Sequence, residues 1–222
     1  AIERYHAPDC LPPDAGARAQ LLHACGPLCP LEEEPAALRY MAWRGFSTDE
    51  SQKLLRAAGL RFGKEFGRRD AQGEKAAFPG RPAVVFPLRD AVGELVAAQG
   101  RFLETSSRRF QTEGPRRAGL FQTPGAMEAL ERGEPVAIVE APIDALSLAL
   151  GGLPAFATCG LDGLPEWLES QAYNRTFLLA QDNDSDATGK AAGDRGAESI
   201  AAVLSRLGGT CRRFRPVAYK DW

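Results

Sequence analysis

Strand-like and helix-like segments alternate from residue 135 onward, and this alternation constrains the fold more than any other feature of the sequence. The strand-like runs are VAIVE, AFATCG, RTFLLAQ and TCRRFRPV, and the helix-like segments between them are PIDALSLALGG, LPEWLES and TGKAAGDRGAESIAAVLSRLGG. Largely apolar strands are buried on both faces, and strand–helix alternation connects them in parallel. The sequence therefore predicts an α/β fold with a mostly parallel four-stranded sheet flanked by helices.

Acidic side chains follow the ends of two of these strands. Glu140 ends the run VAIVE, whereas Asp182, Asp184 and Asp186 occupy every second position after RTFLLAQ. Functional groups of open parallel sheets gather beyond the carboxyl ends of the strands, so we expect these carboxylates to meet at one edge. Asp144 lies one helical turn after Glu140, and it either joins the cluster or satisfies free N–H groups at the start of its helix.

A bound cation is the simplest explanation for carboxylates that lie this close, because like charges at short range repel each other. Oxygen-only ligands favour Mg²⁺ or Mn²⁺ over zinc, and Mg²⁺ is typically shared between one or two carboxylates and a substrate phosphate. The chemistry indicated is phosphoryl or nucleotidyl transfer. A helix-capping turn would account for one of the aspartates but not for all three together with Glu140.

Two other cation and phosphate motifs do not fit the same stretch. An EF-hand loop requires Gly at its sixth position and Glu at its twelfth, where this chain has Ala187 and Gly193. A Walker A loop requires Gly at the position of Asp184 and Ser or Thr at the position of Ala191. Both motifs are therefore excluded.

Positive and negative charges are segregated along the chain. Residues 81–117 carry seven arginines against four acids, whereas residues 134–189 carry nine acids against one base. This distribution is typical of a protein that binds phosphates with one region and cations with another, although solvated surface charge is the commoner explanation for any single run. The candidate phosphate-binding side chains are Arg89, Arg101, Arg108, Arg109, Arg116, Arg117 and Lys190.

Three units are expected along the chain. Residues 1–80 are predicted to be mainly helical with loops, including a polar loop at 63–80. Residues 81–133 are predicted to form a smaller α+β basic subdomain built on a β-hairpin, and residues 134–222 the α/β domain. The chain begins with Ala1 rather than Met, which indicates a piece of a longer protein.

The cysteines and the hydropathy pattern indicate a reducing cytoplasm and no membrane span. The chain has five cysteines, an odd number, and no apolar run approaches the about 20 residues that a spanning helix needs.

A zinc site is one interpretation of the cluster Cys10, His23, Cys25 and Cys29, but only Cys25 and Cys29 have a spacing close to that of a zinc knuckle. Free or buried thiols are therefore favoured over a zinc site.

The segments VAIVEAPIDALSLALGG, ATCGLDGL and FLLAQDNDSDATGKAA resemble a TOPRIM domain, the metal-binding module of bacterial primases, topoisomerases and related nucleases. The two TOPRIM signatures, a Glu at a strand end and a later D-x-D, match Glu140 and the pair Asp182 and Asp184. The forms E-x-P-I-D and DNDSDATGKAA are most similar to DnaG-type primases. Ala141 departs from the Gly that usually follows the glutamate.

The resemblance covers residues 35–222. LRYMAWRGFSTDESQKL resembles the helix that opens the primase catalytic core, and VVFPLRDAVGELVAAQGR resembles its β-hairpin. VAYKDW resembles an ending found in plasmid and phage primases. The zinc-ribbon signature of primases is absent from the sequence given. The implied fold is a TOPRIM domain, with a Rossmann-like four-stranded sheet, preceded by the basic subdomain.

The resemblance implies a primase-like nucleotidyltransferase that joins nucleoside triphosphates into RNA primers on a single-stranded DNA template, with a replicative helicase as partner. In that scheme Asp182 and Asp184 hold Mg²⁺ (or Mn²⁺), Glu140 is a ligand or a general base, and Asp144 and Asp186 complete the cluster. The basic side chains named above hold the nucleic acid and nucleotide.

Two alternatives keep part of this scheme. One is a TOPRIM nuclease, in which the same metal site cuts a strand. The other is a non-catalytic nucleic-acid-binding module of a mobile-element protein. None of the four tyrosines lies in a context typical of a topoisomerase nucleophile.

Overall fold

The computed structural model describes residues 21–22, 24–67, 80–104, 109–160, 163–182 and 192–215. Several residues singled out above therefore lie outside the described part of the chain, namely Cys10, His23, Arg108, Asp184, Asp186 and Lys190. No helix within the described ranges is long and apolar enough to cross a membrane.

Ten strands in the described part of the chain form one mixed sheet with the order β1-β2-β3-β6-β8-β7-β9-β10, and β4 pairs with β3 and β5 outside this path. The strands are β1 Leu28–Pro30, β2 Arg61–Phe66, β3 Arg81–Arg89, β4 Leu95–Phe102, β5 Phe110–Glu113, β6 Leu120–Gln122, β7 Val136–Val139, β8 Ala155–Ala157, β9 Thr176–Leu179 and β10 Thr210–Arg213. The helices are α1 Pro35–Trp43, α2 Asp49–Ala57, α3 Ala126–Arg132, α4 Pro142–Leu150, α5 Glu166–Glu169 and α6 Ala192–Arg206. Two 3₁₀ turns span Leu31–Glu33 and Arg116–Ala118.

The carboxyl-terminal half of the sheet confirms the predicted parallel arrangement. β8, β7, β9 and β10 are all parallel neighbours, and all four residues of β7 are fully buried. Each crossover contains a helix, as parallel connections require. β6 joins this group in the antiparallel direction through β8, so the sheet continues into the amino-terminal half.

The amino-terminal half is antiparallel and contains the predicted hairpin of β3 and β4. The side chain of Asp90 holds the turn, because its Oδ1 accepts hydrogen bonds from the N–H groups of Val92 (3.0 Å) and Glu94 (2.9 Å). The predicted loop at 63–80 is wrong at its start, since β2 extends to Phe66 and pairs with β3. The division into three units remains a prediction.

One hydrophobic core joins the two halves and so fixes the site. It brings Met41 of α1 and Leu55 of α2 against Phe86 of β3 and Leu146 of α4, all of them at most 1% exposed. The helix pair is well formed at its junction, where the Thr48 hydroxyl caps α2 by accepting the Ser51 N–H at 3.2 Å. The described cysteines are free thiols. Burial raises the pKa of Cys25 to about 12.

Candidate active site

Glu140 and Asp182 emerge from neighbouring strands at the same edge of the sheet. β7 and β9 are parallel partners, with Ile138 in register with Leu179. The Ile138 carbonyl accepts the Ala180 N–H at 2.9 Å, so the pairing continues past the end of β9. Neighbouring strands lie about 4.8 Å apart, and both acidic residues follow within three residues of their strand ends. Glu140 and Asp182 therefore lie at the same edge of the sheet, and their joint role in a cation site stays a prediction.

The two carboxylates differ in environment from Asp144. Glu140 is exposed and Asp182 is half-buried at the sheet edge. Asp144 lies in the first turn of α4 and is only 3% exposed. Asp144 is therefore enclosed by the protein, whereas Glu140 faces the solvent.

The donor chemistry at this edge fits a divalent cation. Glu140 and Asp182 supply oxygen only, which is the ligand type of Mg²⁺ and Mn²⁺. Gln181 is 4% exposed, and although its Nε2 donates to the Ile138 carbonyl at 3.1 Å, its Oε1 has no hydrogen-bond donor among the described residues. Within the described ranges no three acidic, histidine or cysteine side chains form a complete cation site, and Asp184 and Asp186 lie outside those ranges.

A cleft of about 130 Å³ opens beside Glu140. One wall comes from the carboxyl ends of β7 and β8, and the other comes from α1 and the β3–β5 strands. The side chains most relevant to chemistry in its lining are Tyr40, Arg44, Arg101, Phe110 and Glu140. An exposed carboxylate therefore shares a small cleft with two guanidinium groups, which is an arrangement suited to a phosphate and a cation bound side by side.

A tight turn after β8 forms the floor of this cleft. Cys159 (φ 57°) and Gly160 (φ 77°) adopt left-handed backbone conformations, which is uncommon for a residue with a side chain. The Cys159 N–H donates to the Glu140 carbonyl at 2.8 Å, and the Cys159 carbonyl accepts from Gln99 Nε2 at 3.2 Å. The turn thus ties Glu140 to β4. Burial raises the pKa of the Cys159 thiol to about 12, so this cysteine is not a nucleophile at neutral pH.

The predicted basic residues are divided between several places. Arg101 lines the cleft, whereas Arg109 is exposed just before β5 and Arg116 and Arg117 are exposed in the turn that follows β5. Arg89 lies elsewhere, because its Nη1 donates to the Gly93 carbonyl at 2.8 Å and it lines a separate hollow beside α3. Sequence reasoning missed Arg44 as a site residue, although its motif WRGF lay within the segment that resembles the opening helix of primase cores.

Arg213, at the end of β10, makes hydrogen bonds to residues on both sides of the segment 183–191, which carries part of the D-x-D motif. Its Nη1 donates to the Leu179 carbonyl at 2.9 Å, and its Nη2 donates to the Asp182 carbonyl at 3.2 Å. Its Nε donates to Asp194 Oδ1 at 3.0 Å, in the first turn of α6. Arg215 adds two 2.9 Å bonds to the same carboxylate. One guanidinium group therefore joins the residues on the two sides of this segment.

Arg213→Ala is expected to destabilise the protein by about 1–3 kcal/mol, since it removes the hydrogen bonds of the guanidinium group to two backbone carbonyls and to Asp194. The Arg213 hydrogen bond is the main cause of the lowered pKa of Asp194. A lowered carboxyl pKa stabilises the fold above the pKa of the unfolded state, and that stability is lost as the pH falls through the folded pKa. Urea unfolding should show the full difference from wild type at pH 6 and a smaller one below about pH 4.

Arg213→Lys is the matched variant for this test, because it keeps the charge but loses the planar fork. It is expected to recover only part of the stability. Equal stability of Arg213→Ala and wild type at neutral pH would show that the guanidinium group does not hold the two sides of this segment together.

No protein-family model and no curated protein matches this sequence. Solved structures do match. The primase of Aquifex aeolicus (zinc-binding and RNA polymerase domains) superposes with a TM-score of 0.64 at 18% identity, over 95% of this chain and 57% of that one. A DnaG primase catalytic domain bound to single-stranded DNA gives 0.61 at 16% identity, over 94% and 74%.

The primase fragment of the bacteriophage T7 primase-helicase protein also matches, with a TM-score of 0.50 at 21% identity, over 81% of this chain and 65% of that one. The chain thus spans less than two thirds of the Aquifex and T7 proteins. By its fold, the chain is an α/β protein with acidic residues at the ends of adjacent parallel strands. More specifically, it has the fold of a DnaG-type primase catalytic core.

Proposed function

We propose that this chain is the catalytic core of a primase, which synthesises RNA primers on single-stranded DNA in a reaction that depends on Mg²⁺. The observation that carries the proposal is the shared cleft of Glu140, Arg101 and Arg44, beside the strand end that bears Asp182. An acidic cation site next to guanidinium groups suits nucleotidyl transfer, in which phosphates and a divalent cation bind together. The fold shared with primase cores supports the same reaction.

Each residue of the proposed site has a role that follows from its chemistry. Asp182 and Asp184 would hold Mg²⁺, with Asp144 and Asp186 completing the acidic cluster, and the bound ion would supply positive charge for the transferring phosphate. Glu140 either joins the ligands or accepts, through a water molecule, the proton of the attacking hydroxyl. Arg101 and Arg44 bind phosphate oxygens in the cleft. Lys190, Arg108 and the exposed arginines at positions 109, 116 and 117 bind the backbone of the nucleic acid.

The proposed partners follow from the reaction and from the neighbours. Nucleoside triphosphates are the substrates and single-stranded DNA is the template, as in the solved DnaG domain bound to single-stranded DNA. A replicative helicase is the proposed protein partner, because one structural neighbour is part of a primase-helicase protein. The free thiols fit the reducing cytoplasm in which such a reaction takes place.

The decisive experiment incubates the protein with end-labelled single-stranded DNA and Mg²⁺, with and without labelled ribonucleoside triphosphates. Primase activity predicts short RNA products that require both Mg²⁺ and nucleotides and disappear with a chelator. Shortening of the DNA without nucleotides would instead identify a nuclease. DNA binding that resists the chelator, with neither product, would identify a non-catalytic binding module.

Arg101→Ala is expected to weaken binding of single-stranded DNA, because one phosphate contact is lost. The slope of log K against the logarithm of the salt concentration should fall in magnitude by about one. Fluorescence anisotropy of a labelled oligonucleotide across a salt series measures both quantities. Arg206→Ala is the matched control, since Arg206 is exposed near the start of β10, at the opposite edge of the sheet from Glu140. Equal salt slopes for the two variants would remove Arg101 from the DNA path.

A further inference from the structure

An exposed tryptophan contacts two of the residues that line the candidate cleft. Trp43 is the last residue of α1 and is 74% exposed, which is unusual for the largest apolar side chain. Its ring lies 6.0 Å from that of Tyr40, and the Arg44 guanidinium carbon lies 5.7 Å from its centroid. Tyr40 and Arg44 both line the cleft that contains Glu140. Trp43 therefore extends the lining of the cleft outward onto the surface.

A second exposed aromatic side chain lies on the β-strand wall of the same cleft. Phe110 begins β5 and is 50% exposed, and it lines the cleft with Arg101. The surface around the mouth thus alternates aromatic rings with guanidinium groups. Exposed aromatic rings can stack on unpaired bases, and adjacent guanidinium groups can bind the phosphates between those bases. Single-stranded nucleic acid offers both groups.

We infer that Trp43 is a base-stacking contact for single-stranded DNA at the entrance of the cleft, with Arg44 holding the adjacent phosphate. This inference rests on the proposed function, because it places the incoming template beside Glu140. A duplex does not offer the same contact, since its base faces are already stacked on each other. Trp43 therefore selects single strands, whereas the arginines attract either form.

The test measures anisotropy of a fluorescein-labelled dT oligonucleotide of about 12 nucleotides, and of a duplex of equal length, in the presence of a chelator. Trp43→Ala is expected to raise the Kd for the single strand roughly 5- to 150-fold and to leave the Kd for the duplex unchanged. Trp43→Phe keeps a ring and is expected to lie much nearer to wild type. Both variants should fold, because the side chain is exposed, and thermal unfolding monitors this.

Tyr173→Ala provides a matched control. Tyr173 is 77% exposed but lies in the turn before β9, at the edge of the sheet away from Glu140, so its removal is expected to leave DNA binding unchanged. Equal single-strand affinity of Trp43→Ala and wild type would overturn the inference, as would equal weakening for single strand and duplex.

The outcomes of the two proposals are distinguishable. If wild type makes primers while Trp43→Ala binds single strands normally, the stacking contact is wrong and the primase assignment stands. If wild type makes no primers while Trp43→Ala loses single-strand affinity, the stacking contact stands and the primase assignment is wrong.

Discussion

Glu140→Gln is expected to reduce Mg²⁺-dependent primer synthesis by about 10²- to 10⁴-fold without altering the fold. Glutamine has almost the same shape, but it carries no charge for the cation and cannot accept a proton as a general base. Stability should not change, because Glu140 is exposed at the end of β7. Initial rates of primer formation measure the loss, and titration calorimetry with Mn²⁺ should show weaker binding.

Glu134→Gln provides the control for this prediction. Glu134 is an equally exposed glutamate two residues before β7, at the opposite end of the strand, where it pairs with Arg132 at 2.8 Å. Exposed pairs of this kind contribute little to stability, and the variant should make primers at the wild-type rate. Wild-type synthesis and Mn²⁺ binding by Glu140→Gln would remove this residue from the reaction. Asp182→Asn should reproduce the loss from the neighbouring strand.

The parallel half of the sheet was predictable because its strands are short, because β7, β8 and β9 are largely apolar, and because helices separate all four strands. The strands that the sequence analysis missed lack this signal. β2 reads RFGKEF, with three charges and a glycine, and β5 reads FQTE, with one apolar residue. They form because the hairpin of β3 and β4 supplies an open partner on each side, and such tertiary pairing leaves little trace in local composition.

The carboxylate edge was predictable for the same reason, since strand ends in a parallel sheet meet at one edge. The cleft was not, because its second wall comes from α1, about 100 residues earlier in the chain. The core contacts of α1 and α2 with α4 bring that wall into place. The role of Arg213 was also missed. An arginine at the end of a strand that neighbours an acidic segment is nevertheless a signal that the arginine binds that segment.

Gly193→Ala is expected to displace Asp182, because the added methyl group meets the backbone of that residue. A methyl group at Gly193 would overlap the carbonyl oxygen of Asp182 and approach its backbone nitrogen to 3.1 Å. Both partners are backbone atoms, so no flexible side chain can yield. The two backbone stretches must move apart, which displaces Asp182 and strains its bond to Arg213. We expect a loss of about 1–3 kcal/mol in stability and a loss of Mn²⁺ affinity and of primer synthesis.

Gly196→Ala makes the same substitution three residues later in α6, where nothing lies within 4 Å of the added methyl group. Alanine loses less conformational entropy than glycine in a helix, so this variant should be stabilised by about 0.5–1 kcal/mol and keep its activity. The two variants have the same amino-acid composition and the substitution lies in the same helix, so they differ only in what the added methyl group contacts. Opposite shifts in urea midpoint are therefore expected. If Gly193→Ala were also stabilised and bound Mn²⁺ normally, the close contact between Gly193 and the Asp182 backbone would have no part in positioning Asp182.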